Sequence, residues 1–470
     1  MAEVAERALA RGRAFAAALR PVAAWLGSGW RPPALIALLL LVPLLYGSPA
    51  TPGRNHFGLP RVHSGDEPHY LVQLNSLLRD GDLDLGNNYH AVERGDIQAG
   101  HDYAGWALDH HTVWFEGERR RDWQLTFEMD PAKWDSDGEG HPVPHLRRGQ
   151  APPAEGHVEI STHPAGLALM LAPLLYPLRG TDLMEPAAIL CSALAVILAM
   201  LMYRALIRTY ANDRRVVDLA TAVTFLGTLA WHYGRTLYTE PYLLLFATAA
   251  YSLALRGRSP LLAGAMIGLA ILMKPTFLLL AAPILAMYAV AQNYRAALAF
   301  ALPLAAGVLA TLAYDATMLG SPFRAVQEWK RGEPLAGAWL ILFSLERGLL
   351  ITVPAIVVAL LAWPRFFRDH RRDALVLGAG VLLNYALFAS YGDWRGGACY
   401  GLRYMAPVLP LLFTSLVSVP DLTWWRSPAF RGAVIAVCAL SIAINARASI
   451  QYWKFWNTNP IYAYLRHNPA

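Results

Sequence analysis

Asp66 and Glu67 stand side by side in the run Ser64-Gly65-Asp66-Glu67-Pro68-His69-Tyr70, soon after the first long apolar stretch of the chain. Two adjacent carboxylates can cap a helix, or one can take the proton of an attacking hydroxyl as a general base. That second role is typically worth about 10²–10⁴-fold in rate. Pro68 suits a first helical turn, Leu71, Val72, Leu74, Leu77 and Leu78 follow at helical spacing, and Gly81 ends the run. The spacing predicts a short amphipathic helix lying on the outer face of a membrane, with both acids at its N-terminus. Capping explains one acid better than two. A helix N-terminus stabilises the charged carboxylate and weakens it as a base, while a second acid pushes the other way.

Cations at the ends of other apolar runs could serve the same chemistry. Arg235-Thr236-Leu237-Tyr238-Thr239-Glu240-Pro241 carries an acid at the head of an apolar helix, where an ionisable group must face the bundle or a water-filled cavity. Pairing of Glu240 with Arg235 is one reading; a cavity is the other. Lys274-Pro275 sits in a tight turn between two apolar runs. Binding of a lipid phosphate would explain that lysine, and so would snorkelling to headgroups. The run Tyr391-Gly392-Asp393-Trp394-Arg395-Gly396-Gly397-Ala398-Cys399-Tyr400-Gly401-Leu402-Arg403-Tyr404 lets backbone approach a ligand closely. Arg403 and Arg347 each head an apolar run, where a guanidinium needs a partner such as phosphate.

The elements that must position these groups are membrane helices. Of 470 residues 55% are apolar and only 16% charged, with mean hydropathy +0.31, against about 25% charged in soluble domains. Residues 1–31 form a basic cytoplasmic segment with Arg11, Arg13, Arg20 and Arg31, and 32–47 a retained first span. Residues 48–182 make one large loop; its polar part, 48–160, holds nineteen acidic against ten basic residues and ten of the fourteen histidines. Residues 183–449 hold about ten further spans, and 450–470 form an aromatic tail with Trp453, Trp456, Tyr462 and Tyr464 at the outer interface.

Alternating eleven spans from a cytoplasmic N-terminus puts the Arg-rich connections 204–215, 256–259, 364–373 and 421–431 inside, with 293–295. The acidic loop and all the residues above then face outward. Residues 162–178 must start and end outside, as a juxtamembrane or re-entrant helix. The fold class expected is therefore an all-α polytopic membrane protein with about eleven spans. The expected place is a bacterial inner membrane, with the site on its periplasmic face.

Other motifs read more plainly. Asp82-Leu83-Asp84 matches a short metal-binding pattern, but a turn is the simpler reading, and the acidic run Asp130 to Glu139 reads as a solvated loop. His110-His111 and His141…His145 lack the company of a closed metal site, so a divalent cation stays possible without an assigned ligand set. His163-Pro164 opens the juxtamembrane helix and could face Asp66. Cys191, Cys399 and Cys438 suggest no disulfide framework. No glycine-rich nucleotide loop follows a strand, so neither a nucleotide-bound donor nor nucleic acid is expected as a partner.

The acid pair after the first span, the Lys274-Pro275 turn after Gly268–Met273, and Trp394-x-Gly-Gly with Arg403-Tyr404, Pro407 and Pro410 resemble the GT-C integral membrane glycosyltransferases. Bacterial protein O-mannosyltransferase-like enzymes and the lipid A aminoarabinose transferase belong to that group. The resemblance implies a GT-C-like fold, a polyprenyl-phosphate-sugar donor, inversion at the anomeric carbon, and a lipid, glycan or protein acceptor. It implies Asp66 as catalytic acid/base group with Glu67 its companion, and Lys274 and Arg403 on the donor phosphate. Arg395, Arg347 and Arg235 are further phosphate candidates; His69, Tyr70, His163, Tyr238, Glu240, Trp394 and Tyr404 are candidate cavity residues. A flippase of a lipid-linked saccharide, or a ligase or polymerase using a polyprenyl-diphosphate donor, would use the same cations.

Overall fold

Caps and glycines set where the helices begin and how closely they pack. Asp213, Ser259 and Asn293 accept hydrogen bonds from the backbone N–H groups of Arg215, Leu262 and Ala296, and each starts a helix. The computed structural model describes residues 31–45, 62, 66–93, 110–127, 135–136, 142–143, 146–148, 157–181, 183–327, 329–397 and 399–450.

The helices near the N-terminus are α1 (Arg31–Leu45), α2 (Glu67–Arg79), α3 (Gly86–Glu93) and α4 (Gly166–Leu175). The bundle follows as α5 (Met184–Ile207), α6 (Arg214–Leu226), α7 (Leu229–Tyr233), α8 (Glu240–Leu255), α9 (Pro260–Met273), α10 (Ala281–Val290) and α11 (Tyr294–Met318). It ends with α12 (Pro334–Phe343), α13 (Leu349–Thr352), α14 (Ile356–Asp369), α15 (Arg371–Ala389), α16 (Leu409–Phe413) and α17 (Pro428–Ile450). Tight 3₁₀ segments over Pro275–Leu280, Arg403–Val408 and Thr414–Asp421 lead into α10 and flank α16.

The protein is mostly helical and multi-pass. Among the described residues five helical stretches are long and apolar enough to cross a membrane: α5, α11, α15, Arg403–Asp421 and α17. Six shorter apolar helices of 10–17 residues accompany them. Helix lengths among the described residues do not by themselves establish the eleven spans expected. The expected Arg-rich loop over 364–373 shrinks to His370, because α14 runs on through Pro364 to Asp369 and α15 starts at Arg371. An Arg365–Asp369 ion pair of 2.6 Å, one turn apart, supports that extension.

The expectation of an all-α chain needs correction. The large loop carries a four-stranded antiparallel sheet in the order β5-β2-β1-β6, from β1 (His110–Glu116), β2 (Arg119–Phe127), β5 (Leu146–Arg148) and β6 (Ile160–Ser161). A small ladder of β3 (Asp135–Ser136) with β4 (Pro142–Val143) runs through the acidic stretch expected to be a plain solvated loop. Val113 of β1 and Ile160 of β6 cluster with Leu319 and Val326, so the sheet rests on the segment that follows α11. Arg120 donates to the Val326 carbonyl at 3.0 Å, and the Arg324 guanidinium lies 4.8 Å from the Phe115 ring centroid.

Helix α2 is also not the surface helix its mixed composition suggests. Nearly all of it is buried, and it packs against α4. Its polar side chains find internal partners: Gln73 donates to the His163 carbonyl, and Ser76 to the Asp82 carbonyl and carboxylate. Asp82 and Asp84 accept from the backbone amides of Asp84 and of Gly86 and Glu159 respectively, which is the geometry of a turn. All three cysteines are free. The basic segment 1–30, the tail 451–470, residues 141 and 145 and the side chains of His110 and His111 lie outside the described residues.

Helices α9 and α11 run in the same direction in close contact. Gly264 faces Phe300, and Gly268 faces Pro303 and Gly307. A Cβ on Gly307 would strike the backbone of Gly268. Gly307→Leu should therefore destabilise the bundle by about 1–3 kcal/mol through overpacking. Gly432→Leu, whose added Cβ meets open space, should leave the unfolding midpoint in detergent unchanged; equal midpoints for the two variants would refute this packing.

Candidate active site

Asp66 occupies the N-cap position of α2, yet its side chain makes no capping hydrogen bond. Its Oδ2 instead accepts from Nη1 of Arg403 at 2.5 Å, across 337 residues of sequence. Nδ1 of His163 lies 3.6 Å from the same oxygen. Burial by itself would raise the Asp66 carboxyl; the charge and hydrogen bond of Arg403 outweigh it and hold the group well below the usual carboxylate range. Burial pushes the His163 imidazole down, against the pull of Asp66. Burial thus favours the neutral ring and works against a full ion pair with Asp66.

A second pair lies beside the first. Lys274 Nζ donates to Glu240 Oε1 at 3.2 Å, and Arg403 Nε is 4.0 Å from the same oxygen. Asp66, Arg403, Glu240 and Lys274 thus form an alternating row of two anions and two cations. Aromatic faces line the cations: Lys274 Nζ is 4.4 Å from the Tyr404 ring centroid, and the Arg403 guanidinium is 5.3 Å from that of Tyr238. Phe388 stacks on Tyr404 at 4.3 Å. Lys274 is the residue at which α9 stops and turns extended before Pro275. Glu240 opens α8, which packs against both α9 and the Arg403–Val408 segment.

Asp66, Lys274 and Arg403 open onto one cavity of about 440 Å³. Tyr70 and Tyr404 also line it, and most of the remaining wall is apolar, with Leu169, Leu272, Met273 and Phe388. Glu240 is fully buried behind that wall.

The other candidate residues take supporting places. Glu67 is buried and accepts from the Leu237 amide at 2.7 Å, which ties α2 to the 235–239 loop. His69 stacks on His163 at 5.3 Å, and its Nδ1 lies 2.5 Å from the Tyr89 hydroxyl. Arg235 donates to the Ser449 carbonyl on α17, not to Glu240 or the cavity. Arg347 donates to the carbonyls of Arg395 and Gly397 and so grips the glycine-rich loop. Arg395 is more than half exposed, 3.7 Å from Glu346 and stacked on Trp394; neither lines the cavity. Gly396, at φ +74°, presses on Arg403 so closely that a Cβ would lie 2.9 Å from its Cγ and Nε. The grip of Arg347 on the loop therefore positions Arg403.

Asp315 and Tyr314 on α11 and Trp329 beyond it line the same cavity and were missed from the sequence. The signal was present: Asp315 is an acid near the end of a long apolar helix.

Among solved structures, the Archaeoglobus fulgidus oligosaccharyltransferase in complex with Zn and sulfate superposes with TM-score 0.52 at 13% identity, over 91% of this chain and 53% of that one. Its apo form gives TM-score 0.51 at 12% identity, over 93% and 57%. The chain has the GT-C fold. ArnT from Cupriavidus metallidurans bound to undecaprenyl phosphate gives TM-score 0.49 at 14% identity, over 87% and 62%. The chain thus spans between about half and three fifths of the length of these GT-C proteins. No protein-family model and no curated protein matches the sequence. Among the described residues no group of three or more acid, histidine or cysteine side chains could hold a metal ion. The described donors do not fit a divalent cation, since a guanidinium already faces Asp66.

Removing Arg403 should leave Asp66 a half-buried charge without its guanidinium partner. Arg403→Gln is expected to cost about 3–5 kcal/mol at neutral pH. Asp66 has its folded pKa depressed, so the pair's stabilisation is complete above about pH 4 and is lost as pH falls through the folded value. The gap between wild type and variant should therefore close on acidification. Unfolding midpoints measured from neutral pH downward test this; a gap that is constant or widens would be inconsistent with it.

Proposed function

We propose that the protein is a membrane glycosyltransferase of GT-C type, which moves a sugar from a polyprenyl-phosphate-linked donor to a hydroxyl-bearing acceptor. The observation that carries this reading is that a carboxylate and two phosphate-competent cations, Asp66, Lys274 and Arg403, share one largely apolar cavity. A lipid phosphate needs cations for its head and apolar wall for its chain. Gathering of these charges at one end of the molecule favours transfer over flipping, which expects ionisable groups near the midplane. The site end then faces the periplasmic side of a bacterial cytoplasmic membrane.

In this reading the acceptor oxygen attacks the anomeric carbon from the face opposite the phosphate, so configuration inverts. The bond between that carbon and the phosphate oxygen breaks, polyprenyl phosphate leaves, and the hydroxyl proton passes to Asp66. Lys274 and Arg403 stabilise the charge that develops on the leaving phosphate.

Pairing with Arg403 makes Asp66 a poor base. A donor phosphate offers the guanidinium a better bidentate partner. As Arg403 turns to it, the carboxylate loses its counter-charge and burial raises its basicity. Donor binding thereby arms the base. Glu240 keeps both cations at the cavity edge, and Glu67 is a positioning group on the 235–239 loop.

Asp66→Asn should lower transfer from a polyprenyl-phosphate sugar by on the order of 10²–10⁴-fold, with affinity for polyprenyl phosphate kept or raised because Arg403 is released. Lys274→Ala should weaken that affinity instead. A radiolabelled-donor transfer assay with parallel lipid-binding titration measures both. Wild-type turnover by Asp66→Asn would overturn the assignment.

A further inference from the structure

Asp315 lines the same cavity as the cations, and the packing of α9 on α11 fixes its level. Gly268 and Gly307 touch, and the two helices run in the same direction. Lys274 is six residues beyond the first and Asp315 eight beyond the second, which at about 1.5 Å per residue places both at the same end of the pair, roughly 9 and 12 Å on. Thr311 and Tyr314 share the face of α11 that lines the cavity with Asp315. The Thr311 hydroxyl is turned back to the Gly307 carbonyl. The Asp315 carboxylate is half-buried and meets no hydrogen-bond donor or cation among the described residues. An acid so placed in an apolar helix is costly unless a ligand uses it.

The neighbouring wall has the form of a ring-binding surface. Trp329 and Tyr391 both line the cavity, with ring centroids 4.6 Å apart. Their segments are pinned to each other: Gly332 N–H donates to the Ser390 carbonyl at 2.9 Å, and Gly392 N–H to the Lys330 carbonyl at 2.7 Å. Aromatic faces accept the apolar face of a pyranose, and an ionised carboxylate accepts only O–H or N–H donors.

We infer that Asp315, with Trp329 and Tyr391, forms the subsite for the sugar of the donor, and that Asp315 is a specificity-determining residue that accepts hydrogen bonds from its hydroxyl or amino groups. This rests on the proposed reading, in which Lys274 and Arg403 hold the phosphate; the sugar then lies between the phosphate and Asp315.

The test is a binding titration of the full chain in nanodiscs, with Asp315→Ala and the near-isosteric Asp315→Asn beside wild type. The probes are bare polyprenyl monophosphate and polyprenyl monophosphates carrying glucose, mannose or glucosamine. Wild type should bind at least one sugar-bearing probe about tenfold or more tighter than the bare lipid. Asp315→Ala should lose that preference while its affinity for the bare lipid stays within about twofold. Asp315→Asn should keep part of the preference for a neutral sugar and lose it for an amino sugar. Retention of the full preference by Asp315→Ala would overturn the inference, as would equal loss of bare-lipid binding or a wild type without preference. Failure of wild type to bind the bare lipid at all would instead overturn the phosphate reading on which it rests.

Discussion

Four charges in one row govern this molecule: Glu240 and Arg403 are buried, and Asp66 and Lys274 are half-buried at the cavity wall. An isolated buried ion is so costly that it must be paired, and breaking a pair costs more than the pair contributes. Asp66 with Arg403 and Glu240 with Lys274 meet that demand only if four distant parts of the chain arrive together: the start of α2, the start of α8, the end of α9 and the segment after the glycine-rich loop. Much of the local structure reads as a device for that meeting. Glu67 holds the loop before α8, and Arg347 holds the loop that presses on Arg403.

The same electrostatics make the site self-satisfied. Each cation that a phosphate would need already has a carboxylate. A ligand that enters must therefore outcompete an internal partner, and in doing so it changes the protonation preference of what it displaces. Under the proposed function, recognition of an anion and readiness to accept a proton would be one event at Arg403.

Parts of this were legible in the sequence because charges in apolar runs have few places to go. Asp66, Lys274 and Arg403 could be singled out on that ground, and they do open onto one cavity. Arg235, Arg347 and Arg395 look the same in sequence, each beside an apolar run, and only geometry separates them: two donate to backbone carbonyls and one faces solvent. The sheet was hidden because β2 opens with three arginines and its partner strands are short. The burial of α2 was hidden for a related reason. Its polar residues suggested a wet face, whereas Gln73 and Ser76 are satisfied by loop groups that no periodicity announces. Asp315 is a single acid near the end of an apolar helix, and the cavity it lines is made by segments far apart in sequence.

The segment between α11 and Trp329 is held to the sheet by a bond from Arg120 to the backbone carbonyl of Val326, and beside that anchor Ala325 and Gln327 line the cavity. A main-chain anchor does not care which side chain it carries. The two flanking positions can therefore change in size and polarity without moving the strut that bears them. Here the molecule separates what must stay, the scaffold under the charges, from what is free to drift, an exchangeable inner surface on which new ligand preferences can be written one residue at a time.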